Sequence, residues 1–305
     1  MDFLYLLESI RNPVLDGFFS LITHLGSEVV FMAMAVALYW CFSRSEGLYV
    51  LSVGYFGTVI NQFLKLACRI PRPWVKDPSF TIVESARADA TGYSFPSGHT
   101  QSVCGTMGSV AMIVRRNWIR IAAIVLALLT SFSRMYLGVH TPLDVGVSLA
   151  VSVALVVGLR PLFRDIESKP GRFYAILGAM FFFGLAFVCY AEFWPFPADL
   201  DAENHTHAIS NAYKLLGVVF GMAVGYTIDL KWVHFKPQAT WLGQILKVVL
   251  GLAIVVGLKS GLKLILVGSD LMNALRYCLM IVFAAGIWPM TFPFFAKLGR
   301  KKEAE

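Results

Sequence analysis

An all-α, polytopic bundle of membrane-crossing helices is the fold class that three features of the sequence predict. Hydrophobic residues make up 57% of the chain and charged residues 15%, with a mean hydropathy of +0.66, whereas a soluble domain carries roughly a quarter charged residues. Apolar runs of about 20 residues, the length that crosses a bilayer as a helix, follow one another with short polar linkers between them. Lys and Arg collect in alternate linkers, the pattern of a chain whose basic loops stay cytoplasmic.

Taken in order, residues 2–11 and 13–24 mix Leu, Ile and Phe with Asp2, Glu8, Arg11 and Asp16, which suits helices lying in the membrane interface. Asn12 followed by Pro13 reads as a helix cap and first turn. Nine spans are expected, near 27–43, 47–68, 98–114, 118–134, 141–160, 172–194, 208–229, 239–258 and 270–296. The stretch from Lys259 to Gly268 either extends the eighth span or forms a re-entrant segment, so eight and ten spans are alternatives. The chain thus divides into interfacial helices over 1–26, a six-span core over 27–194, and further spans with a basic tail over 195–305.

The linkers holding Arg115, Arg116 and Arg120, then Arg160, Arg164, Lys169 and Arg172, then Lys231 and Lys236, are expected on the cytoplasmic side. So is the tail with Lys297, Arg300, Lys301 and Lys302. Residues 69–97, 135–140 and the acidic stretch from Asp199 to His207 then fall on the opposite face. The net charge of +7 is scattered over these linkers and forms no nucleic-acid-binding motif, so nucleic acid is not an expected partner. Cys41, Cys68, Cys104, Cys189 and Cys278 show no paired spacing and read mostly as small apolar residues. The first residues lack the basic region and cleavage site of a removable signal peptide, which leaves targeting to the first membrane segment.

Three constellations carry chemistry. Lys65, then Arg72 and Pro73, stand at the outer end of the second span; alone, a cation there is read as snorkelling to the interface. Tyr93-Ser94-Phe95-Pro96-Ser97-Gly98-His99 precedes an apolar helix. Ser97 suits the cap and Gly98 a close backbone approach, so that free N–H groups and the helix dipole would face an anion. Pro-Ser-Gly is also an ordinary helix start. The third runs from Ser133-Arg134 to His140 and on through Thr141, Pro142 and Asp144; Asp144 suits the first helical turn in any case, and also lies four residues from His140, within reach of its imidazole. Three cations, two histidines, a carboxylate and a helix N-terminus on one membrane face are costly to assemble, and such costs mark function. Phosphate ester hydrolysis employs each: cations and amides for the phosphoryl oxygens, one imidazole to attack and another to protonate the departing oxygen.

In order and internal spacing, Lys65 to Pro73, Tyr93 to His99 and Ser133 to Asp144 resemble the three signature motifs of the type-2 phosphatidic acid phosphatase superfamily. The resemblance implies His140 as nucleophile oriented by Asp144, and His99 as general acid. Lys65, Arg72, Ser97, Gly98 and Arg134 would bind the phosphoryl group, with no metal and no cofactor. The expected substrate is a lipid-linked phosphate monoester or diphosphate presented by membrane lipids, hydrolysed on the non-cytoplasmic face of a bacterial plasma membrane or an endoplasmic-reticulum-like membrane. The three spans after residue 194 depart from the six-span pattern and look more like glucose-6-phosphatase and the sphingosine phosphate phosphatases. A sugar phosphate is therefore the alternative substrate of the same chemistry, and a phosphate-ester transporter the alternative class, which the His140–Asp144 pair disfavours. The vanadate-dependent haloperoxidases share the motifs but are soluble. Asp199, Asp201, Glu203, His205 and His207 alternate along the acidic stretch and read as a solvated loop, with a divalent-cation site as the alternative. Asn61, one turn before Lys65, either orients that lysine or serves helix packing. Lys259 and Lys263 read as boundary residues.

Overall fold

The computed structural model describes residues 1–198 and 200–298 and contains, among them, helices and no strand. The helices are α1 (Asp2–Ser9), α2 (Pro13–Thr23), α3 (Glu28–Cys41), α4 (Arg44–Cys68), the short α5 (Pro73–Lys76), α6 (Gly98–Ile113), α7 (Asn117–Tyr136), α8 (Pro142–Phe163), α9 (Pro170–Phe193), α10 (Ala202–Ile228), α11 (Trp241–Ile265), α12 (Asp270–Val282) and α13 (Phe292–Lys297). The protein is a multi-pass helical membrane protein. Among the described residues seven segments are long and apolar enough to cross a bilayer, and an eighth is added if Pro13–Gly26 and Glu28–Cys41, bent by 48°, form one broken span. All nine predicted spans are helical, but α6 has only 16 residues, short of the roughly 20 that a bilayer needs. Its Thr100, Gln101, Thr106 and Ser109 are buried against neighbouring helices instead of facing lipid. The ambiguous stretch after Lys259 resolves as the end of α11, which runs unbroken to Ile265 before a turn at Gly268.

The chain forms two compact units, one of residues 1–34, 49–161 and 199–205, the other of residues 35–48, 162–198 and 206–305. In the first, the helix starts follow the predicted chemistry. Asn12 caps α2 by accepting from Leu15 N at 3.1 Å, and Thr141 and Asp144 cap α8 reciprocally: Asp144 N donates to Thr141 Oγ1 at 3.3 Å, and Thr141 N to Asp144 Oδ2 at 2.8 Å. Helices α1 and α2 bury an apolar face inside this unit. Leu4 packs with Phe80 and Ile82, and Phe19 packs on Tyr136 with ring centroids 4.4 Å apart. Arg11 adds a bond from Nε to Tyr136 O at 3.0 Å and one from Nη1 to Thr81 O at 2.8 Å. The N-terminal helices thus cover the third motif and the loop before the second.

In the second unit, Gly217, Gly221 and Gly225 recur every four residues along α10. A side chain on Gly217 would lie 2.0 Å from Ala274 O, and one on Gly221 2.6 Å from Cys278 O, so backbone packs on backbone as small-residue membrane interfaces require. Arg44 and the buried Asp229 pair at 2.6 Å, and Phe235 N donates to Asp229 Oδ1 at 3.0 Å. Lys247, fully buried in α11, donates to Trp40 O at 2.7 Å and Pro237 O at 2.9 Å, with its ammonium 4.4 Å from the Phe292 ring centroid.

Candidate active site

All eight residues singled out by the motifs lie in the first unit, and backbone bonds knit the motifs together. Ser94 N donates to Ile70 O at 2.8 Å, and Ser97 N to Asp144 O at 3.2 Å. Ser148 on α8 donates from Oγ to Ser97 O at 2.9 Å. Asn61 on α4 reaches Pro96 O from Nδ2 at 3.4 Å, so it supports the second motif and makes no hydrogen bond to Lys65.

The turn between α7 and α8 presents His140. Gly138 enables that turn with φ +82, a backbone conformation that favours glycine, and a side chain there would lie 2.7 Å from Arg11 Nη2. His140 and Asp144 are almost wholly buried, each 1% exposed. His140 Nδ1 lies 3.4 Å from Asp144 Oδ2, longer than a good hydrogen bond. On the other side of the ring, Arg72 Nη1 stands 2.9 Å from His140 Nε2. A guanidinium can only donate, so Nε2 is the acceptor and the ring proton sits on Nδ1, toward the carboxylate. Burial first, and then the charges of Arg72, Arg134 and Lys65, hold the imidazole well below its usual range, which keeps it neutral. Asp144 Oδ2 also accepts from Ser94 Oγ at 2.6 Å and from Thr141 N at 2.8 Å.

The three cations are held differently. Lys65 Nζ donates to Tyr93 O at 2.5 Å. Arg72, buried, spends its donors on Gly92 O at 3.0 Å, Thr91 O at 2.6 Å, Val139 O at 2.9 Å and His140. Arg134 has no exposed surface. Its Nη1 donates to Thr23 Oγ1 at 2.6 Å, whereas its Nε and Nη2 are buried with no hydrogen-bond partner. His99 Nε2 is likewise buried and unpartnered, and its ring lies within electrostatic reach of Arg134, Arg72 and Lys65. Ser97 caps α6 by accepting from Thr100 N at 3.4 Å, and Gly98 follows it into the first turn, where an added side chain would meet only Asn61 Oδ1, at 3.9 Å. Buried polar atoms without partners are rare in folded proteins; here two guanidinium nitrogens, which can only donate, and an imidazole nitrogen, which donates when protonated, lie near the N-terminus of α6, a set suited to an oxyanion.

The acidic stretch is different from its predicted form. Asp199 lies outside the described residues, and from Ala202 onward the chain is already α10, so Glu203, His205 and His207 sit on helical turns and do not alternate along an extended loop. Among the described residues no group of three His, Cys, Asp or Glu side chains converges as metal ligands would. Residues that the motifs did not announce are Ser94, which holds Asp144, and Thr23, which holds Arg134. The first lies inside the second motif, where the spacing marked only its neighbours; the second sits more than a hundred residues from its partner.

Residues 45–168 match the PAP2 superfamily, and residues 213–301 match the transmembrane extension of PAP2 superfamily phosphatases. The chain is 36% identical to an undecaprenyl-diphosphatase of Bacillus subtilis over 48% of this chain and 73% of that protein. It is 28% identical to a probable sphingosine-1-phosphate phosphatase of Dictyostelium discoideum over 95% of this chain and 70% of that one. With phosphatidylglycerophosphatase B of Bacillus subtilis the identity is 30%, over 54% of this chain and 81% of the relative. No solved structure matches the chain. Helices and relatives together define a membrane-embedded hydrolase of phosphoric esters or diphosphates. The chain belongs to the PAP2 superfamily.

Proposed function

We propose that this enzyme hydrolyses a lipid-linked phosphate monoester or diphosphate without a metal, through a phosphohistidine formed on His140. The observation that carries the reading is the state of His140: neutral, with its proton directed at Asp144 and the Nε2 lone pair turned toward the cations. In the first half-reaction Nε2 attacks phosphorus, the bond from phosphorus to the leaving oxygen breaks, and His99 gives that oxygen a proton. The phosphate dianion itself favours the protonated form of His99 on binding. In the second, water attacks the phosphohistidine, gives its proton to His99, and inorganic phosphate leaves. Lys65, Arg72 and Arg134, with the amides that follow Ser97 and Gly98, would spread the charge of the equatorial oxygens. The relatives named for lipid phosphates or diphosphates, one of them aligned over 95% of this chain, support the lipid substrate.

The test is phosphate release by the purified full chain from phosphatidic acid, sphingosine phosphate, prenyl phosphates and diphosphates, and sugar phosphates, beside trapping of acid-labile phosphoprotein. Release from a lipid substrate is expected to survive chelators and to fall with vanadate, which adopts the geometry of the transferring group. His140→Ala is expected to abolish both turnover and the phosphoprotein. Strict dependence on added metal, or phosphoprotein that persists without His140, would overturn the mechanism. Flat background release on every compound would favour the transporter.

The distribution of Lys and Arg supports a catalytic site on the non-cytoplasmic face. In a chain stripped of native cysteines, a single cysteine at the exposed Ala88 should react with an impermeant thiol reagent from outside sealed cells, and one at Ala304, beyond the described residues, should not. The reverse labelling pattern would place the site in the cytoplasm.

A further inference from the structure

We infer that Thr23, which lies outside the matched domain of residues 45–168, is a positioning residue that aims Arg134 at the phosphoryl group. The inference rests on the site described above and deepens it. Among the three motif cations, Arg134 has donors left over: Nε and Nη2 have no partner, and its side-chain bond runs from Nη1 to Thr23 Oγ1 at 2.6 Å. A guanidinium is a rigid planar fork, so fixing one nitrogen fixes the plane in which the other two present their hydrogens. Thr23 is itself buried, 3% exposed, at the last turn of α2, and it sits where the chain bends by 48° into α3.

That bend is held from both sides. Thr130 on α7, one turn before Arg134, lies 3.4 Å from Ile22 O through its hydroxyl. Gly26 packs against the backbone of His99, where an added Cβ would stand 2.9 Å from His99 O. The same short segment therefore abuts Arg134 and His99, whose Nε, Nη2 and Nε2 atoms are buried without partners. A hydroxyl serves here because it accepts from the guanidinium without adding a negative charge. A carboxylate at position 23 would neutralise Arg134 and compete with the phosphoryl oxygens for it.

Steady-state kinetics on the full chain in detergent or lipid discs test this with Thr23→Val, which keeps the shape and removes the acceptor, and Thr23→Ser, which keeps it. Thr23→Val is expected to lower kcat/KM and to weaken vanadate inhibition by roughly 10-fold or more, the size of one hydrogen bond to a charged group. Thr23→Ser should stay within about threefold of the parent. In an Arg134→Lys background, whose ammonium lacks the planar fork, the further loss on adding Thr23→Val should largely vanish, since residues acting through one another are non-additive. A purely structural threonine would give equal losses in both backgrounds. Equal losses, or an unchanged Thr23→Val beside an inactive His140→Ala, would overturn this inference alone, whereas full turnover by His140→Ala would overturn the site itself. Should Thr23→Val fail to accumulate in the membrane, Thr23→Cys, a weak acceptor of similar size, replaces it; turnover and vanadate inhibition equal to those of Thr23→Ser would overturn the inference.

Discussion

Arg134 in the first unit and Lys247 in the second are both removed from solvent, yet the donors of one are consumed and those of the other are not. Lys247 gives its hydrogens to Trp40 O and Pro237 O and faces the Phe292 ring. Nearby in chemistry, Arg44 is neutralised by Asp229 at 2.6 Å. These cations tie loops to helices. Arg134 keeps Nε and Nη2 without partners in the same unit as His99, whose Nε2 is also open. Burial of a charge is costly in either place. What sets Arg134 apart from Lys247 is that two of its donors go unanswered in the same unit as the unpartnered His99 Nε2.

The sharpest way to break this comparison is to delete each cation. Arg134→Ala is expected to lower kcat/KM about 1,000-fold or more, as loss of an arginine from a phosphoryl-transfer site does, with the melting temperature falling less than kcat/KM suggests, because removal of a buried, incompletely paired charge offsets the lost Thr23 bond and the cavity. Lys247→Met should do the opposite. It leaves the buried Trp40 O without its lysine donor, at about 1–3 kcal/mol, while Pro237 O keeps its bond from Gln244 Nε2 at 2.8 Å, so thermal stability falls while kcat per folded molecule stays within about twofold. Turnover lost in Lys247→Met at full stability would erase the distinction.

A smaller expected effect concerns the proton. His99→Ala should leave an enzyme slowed by about 100-fold to 10,000-fold, the usual range for a general acid, and the loss should shrink on substrates with good leaving groups, which need no proton. A loss that is the same for poor and good leaving groups would instead make His99 a phosphate ligand.

The candidate site is more legible in the sequence than its supports are. His99, His140, Asp144 and the three cations stand at fixed spacings around helix starts, and helix starts are legible from caps and prolines: Ser97, Thr141 and Pro142 begin α6 and α8 as expected. The partners of Arg72 are carbonyls of Thr91, Gly92 and Val139, and a carbonyl has no residue type to recognise. Thr23 is equally silent, because a threonine ending an amphipathic helix is ordinary and its partner lies 111 residues away. The composition of the N-terminal helices, with the polar Asp16, Glu8 and Arg11, predicts an interfacial position but does not name the partners these side chains bond in the fold, Tyr136, Thr81 and their neighbours. Lys247 gave no signal either, for one lysine in an apolar run does not say whether it snorkels or is enclosed. The four-residue spacing of Gly217, Gly221 and Gly225 is visible in the sequence and marks the face of α10 where backbones meet.

The smallest expected effect tests how His140 is oriented. Asp144 Oδ2 accepts from Ser94 Oγ at 2.6 Å and from Thr141 N at 2.8 Å, and faces His140 Nδ1 at 3.4 Å. Two donors thus fix the carboxylate, and Ser94→Ala removes the one that comes from a different motif. The backbone donor remains, so the carboxylate keeps its place approximately and its charge fully. A bond to a charged group is worth about 1.5–3 kcal/mol, and because the remaining donor keeps most of the orientation the expected fall in kcat is only roughly 2-fold to 10-fold with KM little changed, since Ser94 touches the group proposed to orient the nucleophile and none proposed to bind phosphate. A rise in KM with kcat intact would show that Ser94 faces the substrate, and a fall as large as that of His99→Ala would show that Thr141 N alone cannot hold Asp144.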